Sequence, residues 1–526
     1  MIEISAQKKT VLDWVLTNEG SIADLCNTIW GYSEPSLREY RSAKAHCEFL
    51  RKHGFTVEEG VAGLPTAFIA EHGSGRPVIG TYAEYDATPG QSQKPVPYRS
   101  PRVPYGPAFT DAHHVLGVAA SSAGVAVAKA MREHDLKGTV KVFGTPAEKI
   151  AVGKTYMAKE GCFDGVDAFV GWHPGSLNTA ISAEHGSHWA VLFTYECLEP
   201  WNWIGTGGYA AVSHPGALDA VALMYTITNS MKEHMLPRTG AWSINEFIMT
   251  GGQGTVDAWA PDVAQIYYTF RSDTLWKQNQ IFRVLQNCAE SAAMATYTKV
   301  TCRIISKTRP GLAYDTMTKL VYRNLELVGP PKFSEKEKEF AREIQKNIGI
   351  EPMQQPLNES LTPPEEAEEF YRQFIGLPAT QRNIGSDDSS EFGWHAPLGR
   401  LSVAGMSLRD VRGVVDSYSA YIGDQKQRLY PLWTQAALNG TSIVHKMGFV
   451  AAKTLAASMV ELLTTPSELQ KAQEEYRQKV SKEKLEPLLP KDLKPPIDCR
   501  WPEWINNTYP SEPLTNLRWN VPYVPE

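Results

Sequence analysis

The chain predicts an α/β protein: a mixed, largely parallel sheet flanked by helices, carrying an inserted α+β unit of ferredoxin-like plan. Three observations carry this. Short apolar runs at residues 66–71, 78–82, 139–143 and 167–170, bounded by Gly, Pro or Asp, alternate with stretches of helical period, the longest over 111–134. After residue 186 the order becomes strand 187–196, helix 217–235, strands 243–250 and 263–271, helix 277–294 and strand 299–306, which is the split βαβ arrangement. At 526 residues the chain also exceeds what one compact core uses, so more than one domain is the expectation.

Taken in order, residues 8–55 recur at helical spacing and precede the first strands. Residues 1–186 then form the first part of the α/β domain, 187–308 the inserted unit, 309–465 the second part, and 466–526 a C-terminal helix with a Pro- and Trp-bearing tail. Within the second part, 330–374 is charged and helical, with a Pro-rich stretch at 354–364 expected on the surface. Residues 442–463 read as the last core helix, and 467–484 as a polar one. No internal repeat is present.

Charge and cysteine usage narrow the function. Against 58 acidic residues stand 52 basic ones, net −6, with no basic run of five, so nucleic acid is not an expected partner. No stretch approaches about 20 uninterrupted apolar residues, so no membrane span is expected, and the first residues do not resemble a signal peptide. Seven cysteines, widely spread and never as C-x-x-C, point to a reducing, cytoplasmic setting rather than a disulfide scaffold or a thiolate zinc site.

In parallel sheets ligands bind beyond the carboxyl ends of the strands, and four segments concentrate polar residues there. They are Gly80-Thr-Tyr-Ala-Glu84-Tyr-Asp86-Ala-Thr-Pro-Gly90, Thr110-Asp111-Ala-His113-His114-Val-Leu-Gly117, Gly144-Thr-Pro-Ala-Glu148-Lys149 and Gly171-Trp-His173-Pro-Gly175. Asp, His and Glu donors suit Zn²⁺ or Mn²⁺, and a carboxylate beside bound water is the usual base of metal-assisted hydrolysis. Each residue also has a plainer reading: Asp111 as a helix cap, His113 and His114 as core histidines, Glu148 and Lys149 as a solvated pair, His173 as a strand end. Their common position at strand ends raises them above it.

These segments, with Ala217–Ala220, Lys232–Met235, Leu327–Phe333, Gly385-Ser-x-Asp388 and Thr441–Lys446, resemble in collinear order the zinc-dependent aminoacylase/carboxypeptidase clan, in its aminobenzoyl-glutamate hydrolase branch. The resemblance spans roughly residues 10–465 and implies that the inserted unit is a dimerisation domain, hence a homodimer. It implies Asp111, His113 and His173 as metal ligands, Glu148 as general base and Asp86 as the carboxylate orienting His113. It places Tyr209 where the clan has an oxyanion-steadying histidine, and Arg271 where a substrate carboxylate is held. Asp111 stands in place of the branch's cysteine, Lys149 in place of a ligand glutamate, and Pro431 in place of a ligand histidine, so two ligands of a second metal are gone.

The expectation is therefore an amidohydrolase-type enzyme cleaving a C–N bond of a small aromatic or carboxylate-bearing substrate, with at most one Zn or Mn ion and Lys149 as a fixed positive charge. Two alternatives stand beside it. One is a metal-free enzyme using Glu148, Lys149, His113, His114 and Tyr209 for non-hydrolytic acid–base chemistry; the other is an inactive, ligand-binding descendant. His395 is expected at a surface or interface, with the cleft as the lesser alternative. Trp201, Trp203 and Trp259 shape either a pocket or an interface.

Overall fold

In the computed structural model, the described residues are 4–181, 185–199, 215–235, 242–252, 260–375, 386–406, 430–481 and 488–499. The larger sheet holds β1 (Thr56–Glu59), β2 (Phe68–Ser74), β3 (Val78–Ala83), β4 (Gly138–Gly144), β5 (Ala168–Gly175), β6 (Thr179–Ile181) and, far along the chain, the strand Leu398–Ala404. Its spatial order is β1-β2-β4-β3-β5, then 398–404, then β6. The four central strands run parallel, while β1, β2 and β6 pair antiparallel at the edges, so the sheet is mixed as the sequence predicts. Buried on both faces, the central strands read as nearly continuous apolar runs.

Two long helices cover the sheet. His113–Glu133 is Ala- and Gly-rich, which lets it lie close to the strands: a Cβ at Gly117 would meet the Glu84 carbonyl at 2.5 Å. Ser442–Thr464 packs against it. By length and composition both could cross a bilayer, yet both are enclosed in the core. The period over 8–55 resolves into three helices, Ala6–Thr17, Glu19–Tyr32 and Tyr40–Lys52.

The second sheet contains β7 (Ser187–Cys197), β8 (Trp242–Thr250), β9 (Val263–Ser272) and β10 (Thr298–Lys307), in the order β10-β7-β9-β8 and antiparallel throughout. Helices Ala217–Met235 and Leu275–Ala295 cover one face and bury a separate apolar cluster around Phe193, Ile266, Tyr268 and Leu285. This is the ferredoxin-like order the element sequence implies.

Three readings need correction. His173 lies inside β5 rather than in a loop after it, because parallel pairing of His173 with Ser402 and Pro174 with Val403 carries the strand to Gly175. The strand 398–404 itself has no counterpart among the predicted elements. The Pro-rich stretch is not wholly on the surface: Pro356, Leu357 and Asn358 are buried, and Asn358 Nδ2 donates to Ser176 O at 3.1 Å.

Candidate active site

The carboxyl ends of β3, β4 and β5 converge on His113, the first residue of its helix. Its Nδ1–H donates to Asp86 Oδ1 at 2.8 Å, which leaves Nε2 directed at the cluster. Asp86 Oδ2 accepts from Ser36 Oγ at 2.7 Å and from the Lys149 amide at 2.9 Å. Burial alone would push the Asp86 carboxyl up; the bond and charge of His113, with Lys149 and Ser36, outweigh it and hold the carboxyl below its ordinary range.

Around His113 Nε2 stand Asp111 Oδ2 at 3.2 Å, Glu84 Oε2 at 3.3 Å and Glu148 Oε2 at 3.6 Å. The Lys149 ammonium pairs with Asp111, reaches Glu148 Oε2 at 3.1 Å and lies 3.4 Å from His113 Nε2. Burial opposes charge on His113 and Lys149, but the surrounding carboxylates, Asp111 foremost, hold both well above their ordinary values. Burial likewise works against Asp111, and His113 with Lys149 holds its carboxyl well below the usual range.

Backbone strain sets these directions. Ala112 and Ala147 both sit in the left-handed region, at φ 54° and 58°, which costs a non-glycine residue roughly 1–3 kcal/mol. Ala112 is the N-cap position and no side chain caps the helix, so the cap reading of Asp111 is excluded and its carboxylate is free to face the cluster. The Ala147 amide donates to Glu39 Oε1 at 2.8 Å, fixing the turn that presents Glu148.

Beneath the cluster lies a charged layer that sequence reasoning missed. Lys154, fully enclosed, donates to Asp388 Oδ1 at 2.5 Å and lies 2.7 Å from Glu84 Oε1. Arg400 pairs with Asp387 and His185 beside it. Three carboxyls thus share two fixed cations. Burial, then the charges of Glu148, Glu84 and Asp387, push the Asp388 carboxyl up against the pull of Lys154. Glu84 had a signal, two residues before Asp86 in the same turn, and Asp388 stood in the Gly385-Ser-x-Asp388 motif without an assigned role; Lys154, 234 residues from Asp388, had none.

The site has donors suited to a divalent ion in three overlapping groups, Glu84 with His113 and His173, Asp86 with His113 and Glu148, and Glu84 with Asp387 and Asp388; Asp111, expected as a ligand, belongs to none of them. Glu84, His113 and His173 each offer an atom within 4.8 Å of the others, and His173 Nδ1 is engaged with Pro174 O at 2.8 Å, leaving Nε2 for a ligand. Glu84 Oε2 and Asp111 Oδ1 are buried without a hydrogen-bond partner, as atoms awaiting a cation are. Two imidazoles with carboxylate oxygens are a zinc- or manganese-type set.

The other candidates fall elsewhere. His114 faces away: its Nε2 bonds Asn439 O at 2.9 Å, its ring lies tilted against Phe109 with centroids 4.5 Å apart, and burial pushes its pKa down to about 3. Consecutive helical residues point about 100° apart, so His113 and His114 cannot share a site. Arg271 is exposed at the end of β9, opposite His188. His395 does not reach the cluster; it packs on Phe163 with Nδ1 3.7 Å from Asp164. Pro431 is the N-cap of the short helix Leu432–Leu438. Tyr209, Trp201, Trp203 and Trp259 lie outside the described residues.

No family model matches the chain. A p-aminobenzoyl-glutamate hydrolase subunit of Escherichia coli (strain K12) is 30% identical over 486 residues, 90% of this chain and 95% of that protein. The Xaa-Arg dipeptidase of Mus musculus is 26% identical over 293 residues, 52% of this chain and 60% of that protein. In fold, the chain is similar to the aminobenzoyl-glutamate utilization protein of Klebsiella pneumoniae, with TM-score 0.54 and 13% identity over 87% of this chain and 99% of that one. An α/β hydrolytic enzyme of the amidohydrolase type, with a histidine–carboxylate cluster at its strand ends, is the class that fold, site and relatives define. The chain belongs to the p-aminobenzoyl-glutamate hydrolase family, within the aminoacylase/carboxypeptidase clan.

Proposed function

We propose that the chain hydrolyses the amide bond of a small, carboxylate-bearing substrate with an aromatic or bulky acyl part, at a site holding at most one divalent ion. The observation that carries this is the placement of Glu148, 3.6 Å from His113 Nε2 and bonded to Lys149 at 3.1 Å. His113 and His173, with Glu84 and with Asp111 at 3.2 Å from His113 Nε2, would hold the ion, which when bound polarises an amide carbonyl. Glu148 accepts a proton from the attacking water and returns it to the leaving nitrogen. Asp86 keeps His113 in the tautomer that turns Nε2 inward. The Lys149 ammonium supplies positive charge where a second ion would meet Asp111 and Glu148, and steadies the developing oxyanion. Tyr209 and Arg271 are the substrate-contacting residues of this reading.

A second reading keeps the enzyme without a metal, doing acid–base chemistry with Glu148, Lys149 and His113. It is favoured by one observation: Lys149 already satisfies Asp111 and Glu148. Metal content per purified chain separates the two. About one equivalent, with release of p-aminobenzoate from p-aminobenzoyl-glutamate or of product from an N-acyl amino acid panel, supports the first. No metal after growth in added Zn²⁺ and Mn²⁺ removes it. Glu148→Gln should lower turnover about 10²–10⁴-fold with metal content unchanged.

The proposal includes a cytoplasmic homodimer. The seven cysteines are all free. Strand β8 is an edge carrying exposed Phe247, Ile248 and Met249, next to exposed Leu218 and Tyr225 on the covering helix, a patch that pairing edge to edge would bury. Phe247→Asp should convert a dimer into a monomer in sedimentation; a wild type that sediments as a monomer ends this part.

A further inference from the structure

On the far side of the short helix Gly153–Lys159 from His113 lies a cavity of about 210 Å³. Its walls include Lys159, Lys307, Arg309 and His395, with Asp164 at the rim and Glu391 beneath Arg309. The volume is below that of pockets for drug-sized ligands and suits a small ion.

The cations of this wall differ in how they are balanced. Arg309 is held by Glu391, with its Nη1 at 3.0 Å and its amide at 2.6 Å. Lys159 donates to Glu160 at 2.8 Å and to Leu493 O at 2.7 Å. Lys307 has no carboxylate against it among the described residues. Its Nζ lies over the Trp189 ring at 4.0 Å from the centroid and over Phe282 at 5.0 Å, and burial pushes its ammonium below its ordinary value. Asp164 is largely exposed and turned to His395, which burial keeps neutral with a pKa of about 4. A partly desolvated ammonium with no carboxylate against it among the described residues, lining a small cavity beside a guanidinium, has the composition of an anion site.

We propose that this cavity binds a small oxyanion, a phosphate or a dicarboxylate, through Lys307 with Arg309 alongside. The site is separate from the hydrolytic cluster, and its test does not need a known substrate. Both of its walls belong to elements that also hold the buried ion layer: Lys154 lies in the first turn of the helix whose Thr155, Ala158 and Lys159 line the cavity, and Asp388 shares a single turn with Glu391. Occupation should therefore stabilise the folded protein.

Isothermal titration calorimetry of the full chain with sodium phosphate and with sodium succinate tests this, sodium chloride at equal ionic strength serving as the control. Saturable binding of either anion is expected, together with a rise in melting temperature that chloride does not give. Lys307→Met keeps the alkyl stem over Trp189 but removes the charge; it should weaken binding at least tenfold while melting like wild type without ligand. Lys307→Arg should retain binding. Phosphate binding without succinate binding, or the reverse, identifies the source of the ligand. Heat no different from chloride with both anions overturns the proposal, as does a Lys307→Met protein that binds like wild type. Should Lys307→Met melt early, Lys307→Gln takes its place under the same criteria.

Discussion

Lys154 offers the sharpest test of the buried charge layer. Its ammonium is fully enclosed between Glu84, at 2.7 Å, and Asp388, at 2.5 Å, and no solvent can replace it. Burial opposes that charge, yet Asp388 and Glu84 hold it well above the ordinary lysine value, so its stabilising contribution is complete below about pH 10. Lys154→Met keeps the volume and leaves an uncompensated buried carboxylate, which costs about 3–5 kcal/mol. For a cooperative unit of about 350 residues, with an unfolding entropy of roughly 0.7 kcal/mol/K, that is a fall of about 4–7 °C in melting temperature. The loss must also depend on pH. The variant keeps one proton more than wild type when folded, and its unfolded carboxyls titrate near pH 4, so its stability relative to wild type falls by about 1.4 kcal/mol per pH unit between pH 5 and 8. Scanning calorimetry at the two pH values reads both effects, and adding Asp388→Asn to Lys154→Met should recover part of the loss. A Lys154→Met protein that melts like wild type, or loses the same amount at pH 5 and pH 8, would refute the reasoning.

Other consequences are smaller but separable. His114→Asn should leave turnover within about twofold while lowering stability by about 1–3 kcal/mol, because His114 fills space against Phe109 and bonds Asn439 rather than facing the cluster; a loss of turnover at unchanged stability would restore it to the site. Glu337 is drawn down to about 2, against burial, by Lys446, Ser442 and Ser334. A carboxylate depressed in this way stabilises above its ordinary range near pH 4.5 and loses that contribution as pH falls toward 2. Glu337→Gln should thus flatten the wild-type loss between pH 5 and pH 3 by at most about 2 kcal/mol in urea unfolding.

The fold was legible where periodicity is unambiguous. Predicted helix 442–463 and strand 263–271 end within a residue of Ser442–Thr464 and Val263–Ser272, because long apolar helices and alternating strands leave few other readings. The strand Leu398–Ala404 was hidden because Pro397 and Gly399 imitate a turn, and only its pairing with β5 makes it a strand. At the site, Asp86, Asp111, His113 and Glu148 could be picked out by their position after strands. Lys154 and Arg400 could not, and Asp388, though part of a recognised motif, gave no sign of its partner: a lysine in a helix and an acid in a loop look solvated until tertiary contacts enclose them. His114, about 100° around the helix from His113, is turned toward Phe109 and Asn439.

Lys149 links the legible part to the illegible one. Sequence shows only that a lysine follows Glu148, the proposed general base; the structure adds that its Nζ lies on Asp111 and Glu148 and within 3.4 Å of His113 Nε2. A carboxylate pair enclosed this way must be balanced by a proton, an ammonium or a metal, and here the chain brings its own cation. Lys149→Glu removes that cation and adds a third acid. If Lys149 serves the reaction, turnover should fall at least tenfold while divalent-metal content rises above the wild-type value, because the new acids can be balanced only from outside. If Lys149 is merely a structural counter-ion, turnover per folded molecule should survive the exchange. Measuring metal stoichiometry and turnover on the same preparation decides between the two, and unchanged turnover would end the assignment of an electrostatic role to Lys149.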